Sequence, residues 1–386
     1  MRFWQTADFP DANAHAGACG AILSRMNYDL AIVGAGFAGL ACARASARRG
    51  LRVLVTDRKR APGERVHTTG LVVKEAAERW EIPSALTRRV HGIRLYSPSL
   101  RTLDLASGGY YFLATDTAAL MRWLAREAAR AGAHLRFGRP YRDGDGAGKA
   151  RYLVGADGPR SRVARDFGLG INREFLIGVE AEYEGVRGLD DDRLHCFFDG
   201  NLARGYIGWI VPGYNGIAQI GLACRHPRTP DLRAFLHKIA SVADVTHARC
   251  LGHRGGLIPV GGPVSPMAAG NVLLIGDAAG LVSPLSAGGI HTALESGWTA
   301  ANAIADHVLE GGEAPAAALA RTAPRFVAKR AMRALFDRGV PDAVFDALLP
   351  TRAFTALARS VYFHHRGLAS AGGWRDIAQT LLRGQP

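Results

Sequence analysis

The stretch "DLAIVGAGFAGLACARASARRGLRVLVTD", Asp29–Asp57, sets an apolar run, a glycine turn and a second apolar run in unbroken order. Leu30–Val33 reads as a short strand, and Leu40–Arg49 reads as a helix that stops at Gly50. Arg52–Thr56 is a second strand, closed by an acid, Asp57. Gly34, Gly36 and Gly39 spell G-x-G-x-x-G, with Phe37 and Ala38 in its last gap. So bare a turn lets a pyrophosphate approach the backbone, and the helix start adds a favourable dipole. An acid about 20 residues further on accepts hydrogen bonds from ribose hydroxyls. Asp57 holds that place, and it argues against a 2′-phosphate despite Arg58, Lys59 and Arg60. A lone G-x-G-x-x-G is a weak sign, but here strand, turn, helix, strand and acid follow in order. Together they predict a dinucleotide cradle.

Two later stretches repeat the strand–turn–helix theme. In "RYLVGADGPRSRVAR", Arg151–Arg165, a strand to Val154 runs into Gly155-Ala156-Asp157-Gly158 and then a helix near Ser161. In "GDAAGLVSPLSAGGIHTALESG", Gly276–Gly297, the apolar run Val272–Ile275 precedes a loop of small residues and a helix. Gly276, Asp277, Gly280, Pro284, Gly288, Gly289 and Ile290 are the candidate ligand contacts there. Asp157 or Asp277 alone reads more readily as a turn acid or helix cap than as a ligand contact. With the first cradle upstream, cofactor contact becomes the stronger reading. Between these loops Leu71–Trp80 and Thr117–Ala131 read as helices, and Ile93–Tyr96, Leu103–Leu105 and Tyr110–Leu113 as strands.

Composition bounds the rest. At 386 residues and 48% apolar, the chain exceeds the size of one ordinary core. It holds no run of about 18 uncharged apolar residues, so no membrane span is expected. The five cysteines form no CxxC pair and no zinc spacing, which disfavours disulfide-exchange chemistry and fits reduced thiols in a cytoplasm. No metal site is expected. The net charge of +14 is nearly all arginine spread along the chain, without a nucleic-acid-binding module. Residues 1–26 lack the pattern of a signal peptide and are expected to be a disordered extension.

The order of the three loops resembles the p-hydroxybenzoate hydroxylase-type flavoprotein superfamily. That resemblance implies an α/β fold with a Rossmann-like FAD-binding domain, an inserted antiparallel-sheet substrate domain and C-terminal helices. It implies FAD, with the first loop on the ADP half, Asp157 and Gly158 near the pyrophosphate, and Asp277 on ribose or ribityl hydroxyls. Gly288–Ile290 would then face the flavin pyrimidine ring, where a helix N-terminus stabilises the negative charge of reduced flavin. The implied division is 27–80, 114–170 and 254–310 for FAD, 81–113 and 171–253 for substrate, and 311–386 for helices.

A narrower resemblance rests on "GYIGWIVPGYNGIAQIGL", Gly205–Leu222. It is similar to the geranylgeranyl reductase family, with Tyr206, Trp209, Pro212 and Gly221 in the places of that family's GYxWxxP and following strand. "IGVEAEYEGV" and "GGLIPVGG" also resemble it. The resemblance covers about Tyr28 to Val308 and implies reduction of C=C bonds in an isoprenoid-like or lipophilic substrate by hydride from reduced flavin. The alternative is an FAD monooxygenase hydroxylating an aromatic or lipophilic substrate. A halogenase fits less well, because Ile207 stands where its motif has tryptophan. The chain departs from the reductase pattern at His67-Thr68-Thr69-Gly70-Leu71, where the family has Cys-Gly-Gly-Gly-Leu, and at Thr117, where it has arginine. His67 is a candidate proton donor or a loop histidine bonded to backbone. Tyr206 and Trp209 are candidate substrate-cavity walls or core aromatics.

No second G-x-G-x-x-G unit is visible, so the expected electron donor is transient NAD(P)H or a ferredoxin-type carrier protein. After Val308 the chain turns basic and amphipathic, broken at Pro341 and Pro350. Its helices are expected to pack on the catalytic body with arginines facing water, with a tunnel cap or peripheral membrane association as alternatives.

Overall fold

The computed structural model describes residues 28–142 and 150–363, so the extension expected at 1–26 lies outside the described residues. In chain order the first half comprises β1 (Tyr28–Val33), α1 (Phe37–Arg48), β2 (Val53–Thr56), β3 (Leu71–Val73), α2 (Lys74–Arg79), β4 (Thr87–Val90), β5 (Gly92–Tyr96), β6 (Thr102–Ala106), β7 (Phe112–Thr115), α3 (Thr117–Arg130), β8 (His134–Arg136), β9 (Ala150–Gly155) and α4 (Arg162–Asp166). There follow β10 (Phe175–Glu184), β11 (Arg193–Phe197), β12 (Gly208–Pro212), β13 (Ile217–Arg225), α5 (Leu232–Lys238), β14 (Arg249–Pro259), β15 (Ala268–Ala269), β16 (Val272–Leu274), α6 (Ile290–Glu310), α7 (Pro315–Thr322), α8 (Val327–Asp337), α9 (Asp342–Leu348) and α10 (Arg352–Phe363).

A six-stranded sheet in the order β15-β16-β9-β1-β2-β8 carries all three glycine loops. From β16 to β8 its strands are parallel, so the loops after β1, β9 and β16 leave at the same edge. Parallel strands covered on both faces must be apolar throughout, and Leu30, Ile32, Val154, Leu273 and Leu274 are all fully buried. Helices α1 and α6 pack on this sheet through small residues. A Cβ added at Gly297 of α6 would stand 2.3 Å from the Ala38 carbonyl oxygen of α1.

The seven-stranded sheet runs β14-β10-β13-β12-β11-β5-β6. It departs from the expected antiparallel sheet in one pair, β11 with β5, which is parallel. Those two strands are joined through the six-stranded sheet, so no hairpin forces them to reverse. A three-stranded sheet, β3-β7-β4, bridges the larger two. Strands β7 and β14 run through the expected domain limits at residues 114 and 254. The helix expected over Leu71–Trp80 begins only at Lys74, because Leu71–Val73 pairs with β7.

The C-terminal helices pack on the seven-stranded sheet. Phe345, Leu349, Ala358 and Phe363 share a core with Ile93, Leu95 and Leu105. Phe198 stacks on Phe345 with centroids 4.8 Å apart.

Gly297→Val forces a branched side chain against helix backbone, and overpacking of this kind costs about 1–3 kcal/mol. Thermal unfolding of the flavin-free chain should show a clearly lowered Tm for Gly297→Val. Gly252→Val, where a Cβ meets nothing within 4 Å, should leave Tm near that of the parent.

Candidate active site

The three loops converge on one cavity of about 1120 Å³. Gly34 sits at φ +106, and a Cβ there would lie 2.2 Å from the Ala156 carbonyl oxygen. A Cβ at Gly39 would lie 1.9 Å from the Gly34 carbonyl oxygen, and one at Gly276 would lie 2.8 Å from Ala38 Cβ. These glycines let the loops touch one another. Gly36 differs, because a Cβ there meets no protein atom within 4 Å and would project into open space. Among the described residues its bareness serves no contact of the protein with itself. That is the fit expected of a cradle for a pyrophosphate-bearing group.

The acids divide into three kinds. Asp57 accepts from the Ala35 N–H at 2.7 Å through Oδ2 and from the Lys59 N–H at 2.8 Å through Oδ1, so it shapes the cradle it borders. Asp57 also lines the cavity, and each of its oxygens keeps a further lone pair. Asp157 accepts from Ser161 Oγ at 2.6 Å and from the N–H groups of Arg162 and Val163 at 2.6 and 3.2 Å. Its carboxylate ties down the start of α4, and the residue also lines the cavity. Asp277 is the opposite case. Among the described residues its carboxylate has no hydrogen-bond partner, and burial pushes its pKa up to about 6. A carboxylate so placed accepts hydroxyl donors readily.

Gly288, Gly289 and Ile290 line the cavity, as do Phe37, Ala38, Arg58 and Gly158. Gly289 caps the 21-residue α6, whose positive dipole end therefore points at the cavity. Gly39, Gly276, Gly280 and Pro284 are expected contacts that do not line it. Gly280 sits against the Gly262 carbonyl, 2.3 Å from a notional Cβ, so it and its neighbours fold the loop from behind.

His67, Tyr206 and Trp209 all reach this cavity. His67 Nδ1 donates to the Gly255 carbonyl at 2.9 Å. Burial lowers its pKa below the ordinary histidine value, opposed by that bond and reinforced by Lys59, Arg58 and Arg65. The ring is thus tied to backbone, as the loop-histidine reading expects, while the residue still lines the cavity. The Tyr206 hydroxyl donates to the Ser286 carbonyl at 2.7 Å, joining the hairpin to the third loop. Trp209 Nε1 donates to Glu180 Oε2 at 2.7 Å.

Glu180 is the residue that sequence reasoning missed. It lies 4% exposed on β10. The Thr69 hydroxyl also donates to Oε2, at 2.6 Å, and Arg254 Nε of β14 stands 2.8 Å from Oε1. Burial raises its pKa, and Arg254, Thr69 and Trp209 oppose the rise. With three donors around it, Glu180 acts as a buried anion that fastens Trp209 and the His67–Thr69 loop to the sheet. Arg254 adds a bond to the Thr68 carbonyl at 3.2 Å and pairs with Glu182. Arg333 of α8 was also missed. It is 3% exposed, donates to the Gly205 carbonyl and pairs with Asp337 at 3.0 Å.

Beyond Trp209 the cavity becomes an apolar arm. Leu194, Cys196 and Phe198 wall it from the sheet, and Phe336, Leu357 and Val361 wall it from α8 and α10. Cradle and arm are thus parts of a single cavity that meet at Tyr206 and Trp209.

Comparison with known proteins agrees with this architecture. Residues 32–84 match the model of an NAD(P)-binding Rossmann-like domain. The chain is 30% identical over 315 residues to digeranylgeranylglycerophospholipid reductase 2 of Methanosphaera stadtmanae, covering 73% of this chain and 79% of the relative. It is 31% identical over 324 residues to digeranylgeranylglycerophospholipid reductase 2 of Methanopyrus kandleri, covering 74% and 78%. Among solved structures, a geranylgeranyl bacteriochlorophyll reductase-like protein from Thermoplasma acidophilum superposes with a TM-score of 0.75 at 20% identity, covering 92% and 96% of the two chains. The flavin-dependent brominase Bmp2 superposes at 0.68 and 19% identity, covering 92% and 97%, which speaks to fold alone. Fold and site define an FAD-dependent oxidoreductase. Within that class the chain belongs to the geranylgeranyl reductase family.

The glycines separate cradle from scaffold by experiment. Gly36→Val should abolish FAD retention on a desalting column while leaving the Tm of the flavin-free chain unchanged, whereas Gly34→Val should lower that Tm. Asp277 makes a second test. Its native carboxyl holds a proton up to about pH 6, against 3.8 for an ordinary aspartate. Between those values the native state binds the extra proton, so this group's contribution to stability rises as pH falls through the window. Denaturant unfolding of flavin-free protein should show that rise, and Asp277→Asn should remove it.

Proposed function

We propose that this protein saturates C=C bonds of an isoprenoid-like or otherwise lipophilic substrate at a flavin site. The observation that carries the reading is the union of a bare-backbone dinucleotide cradle and an apolar arm in one cavity. The family's relatives are named for reduction of a digeranylgeranyl glycerophospholipid, which agrees with an arm walled by Leu194, Phe198, Phe336 and Val361. Bound FAD, once reduced, supplies the hydride. The work of this chain is placement and exclusion of water.

Gly34–Gly39 and Asp57 would hold the ADP half, Asp277 the ribityl hydroxyls, and the start of α6 the pyrimidine edge. That helix end favours the charge carried there after reduction. Tyr206 and Trp209 would set the position of the substrate chain at the junction, held by Ser286 and Glu180. His67 Nδ1, the Tyr206 hydroxyl and Trp209 Nε1 each face a protein acceptor, so solvent is the proposed source of the proton. Transient NAD(P)H or a ferredoxin-type carrier would reduce the flavin. A substrate of this kind resides in a bilayer, so peripheral membrane association belongs to the reading.

Anaerobic mixing of the photoreduced holoenzyme with prenyl compounds should reoxidise the flavin and yield a product heavier by two hydrogens. Oxygen should be dispensable. Reoxidation by a prenyl compound that fails without O₂, with an oxygenated product, would assign the monooxygenase chemistry instead.

A further inference from the structure

Helices α8 and α9 turn different chemistry inward and outward. Their inner sides hold Phe336 and Phe345, whose rings lie 6.2 Å apart, so both helices bury the same side. The outer side of α8 carries Val327, Ala331, Ala334 and Leu335, spaced as one helical stripe and all exposed. Val327 is 73% exposed and Leu335 60%. On α9, Val344 and Leu348 continue the apolar surface.

The charges around this stripe are sorted by sign. Every acid from 325 to 353 is turned inward and tied down. Asp337 pairs with Arg333, Asp342 accepts from the Gly200 N–H at 2.7 Å, and Asp346 accepts from the Ser97 hydroxyl at 2.5 Å. Arg325, Arg330 and Arg338 are exposed and, among the described residues, have no side-chain ion pair or hydrogen bond. The outer surface is therefore apolar and purely cationic.

We propose that this surface docks on the headgroup layer of an anionic lipid bilayer. Small aliphatic side chains enter the headgroup boundary while arginines meet lipid phosphates, the arrangement by which amphipathic helices lie on membranes. A second copy is disfavoured, because a two-fold contact would set this cationic face against itself. An acidic protein partner is disfavoured by the lack of exposed aromatic anchors on the stripe. The surface is read from exposure and charge, and it rests on the lipophilic-substrate reading only for its purpose. Docking here holds the roof of the apolar arm against the phase where such a substrate resides. No described helix is long and apolar enough to cross the membrane, so the contact is peripheral.

The test is co-sedimentation of the FAD-loaded full chain with vesicles of phosphatidylglycerol and phosphatidylcholine, against vesicles of phosphatidylcholine alone, at low and high salt. Binding should require phosphatidylglycerol and weaken with salt. The double variants Arg330→Glu/Arg338→Glu and Val327→Ser/Leu335→Ser should each weaken it about tenfold or more. Both should keep their flavin absorbance, their Tm and their turnover of detergent-dispersed substrate. Absence of phosphatidylglycerol-dependent binding, or binding untouched by both variants, overturns the proposal. A lipid-free dimer that either variant dissociates would also overturn it and give the face to a second copy. Vesicle binding is read without turnover, so failure of the redox reading leaves this outcome legible.

Discussion

Backbone touching backbone is the constraint on which the site depends. At Gly34 a single methyl group would intrude to 2.2 Å from the Ala156 carbonyl, and at Gly276 to 2.8 Å from Ala38 Cβ. These approaches hold the loops after β1, β9 and β16 in contact, as the parallel order of those strands requires. Because all three loops leave the same sheet edge, the start of α6 and the cradle after β1 face one space. The seven-stranded sheet then closes that space from the other side with Tyr206 and Trp209.

The electrostatics of the cavity follow from how each charge was removed from water. Glu180 and Arg254 are buried together, and their attraction with the Trp209 and Thr69 hydrogen bonds offsets a large desolvation cost. Such a pair adds little net stability, but it fixes three segments in one geometry. Asp277 is left without a partner among the described residues, which raises its affinity for a proton and equally for a hydroxyl donor. Partial burial and the nearby Lys59, Arg58 and Arg65 lower the pKa of His67, while its bond to the Gly255 carbonyl opposes that shift and holds the loop in place.

The C-terminal helices join two surfaces that differ in solvent. Phe336, Leu357 and Val361 roof the apolar arm. On their other side Val327 and Leu335 stand in the open beside arginines that have no ion pair among the described residues. Arg333 is the exception that secures the roof, because its guanidinium turns inward to Gly205 and Asp337. Both expectations for this region, packing on the body and capping of a tunnel, describe the inner side.

The three loops were legible in the sequence because a strand, a bare turn and a helix are local patterns, written in consecutive residues. The hairpin carrying Tyr206 and Trp209 was legible for the same reason. Tertiary structure decided what the polar side chains do. Pro284 and Gly280 fall behind their loop, and β11 runs beside β5 without a hairpin to predict it. Glu180 meets Arg254 only because β10 and β14 pair in a register that sets them opposite each other. A side chain's partner across a sheet depends on strand register and on the face it occupies, and neither is written in the residues that flank it.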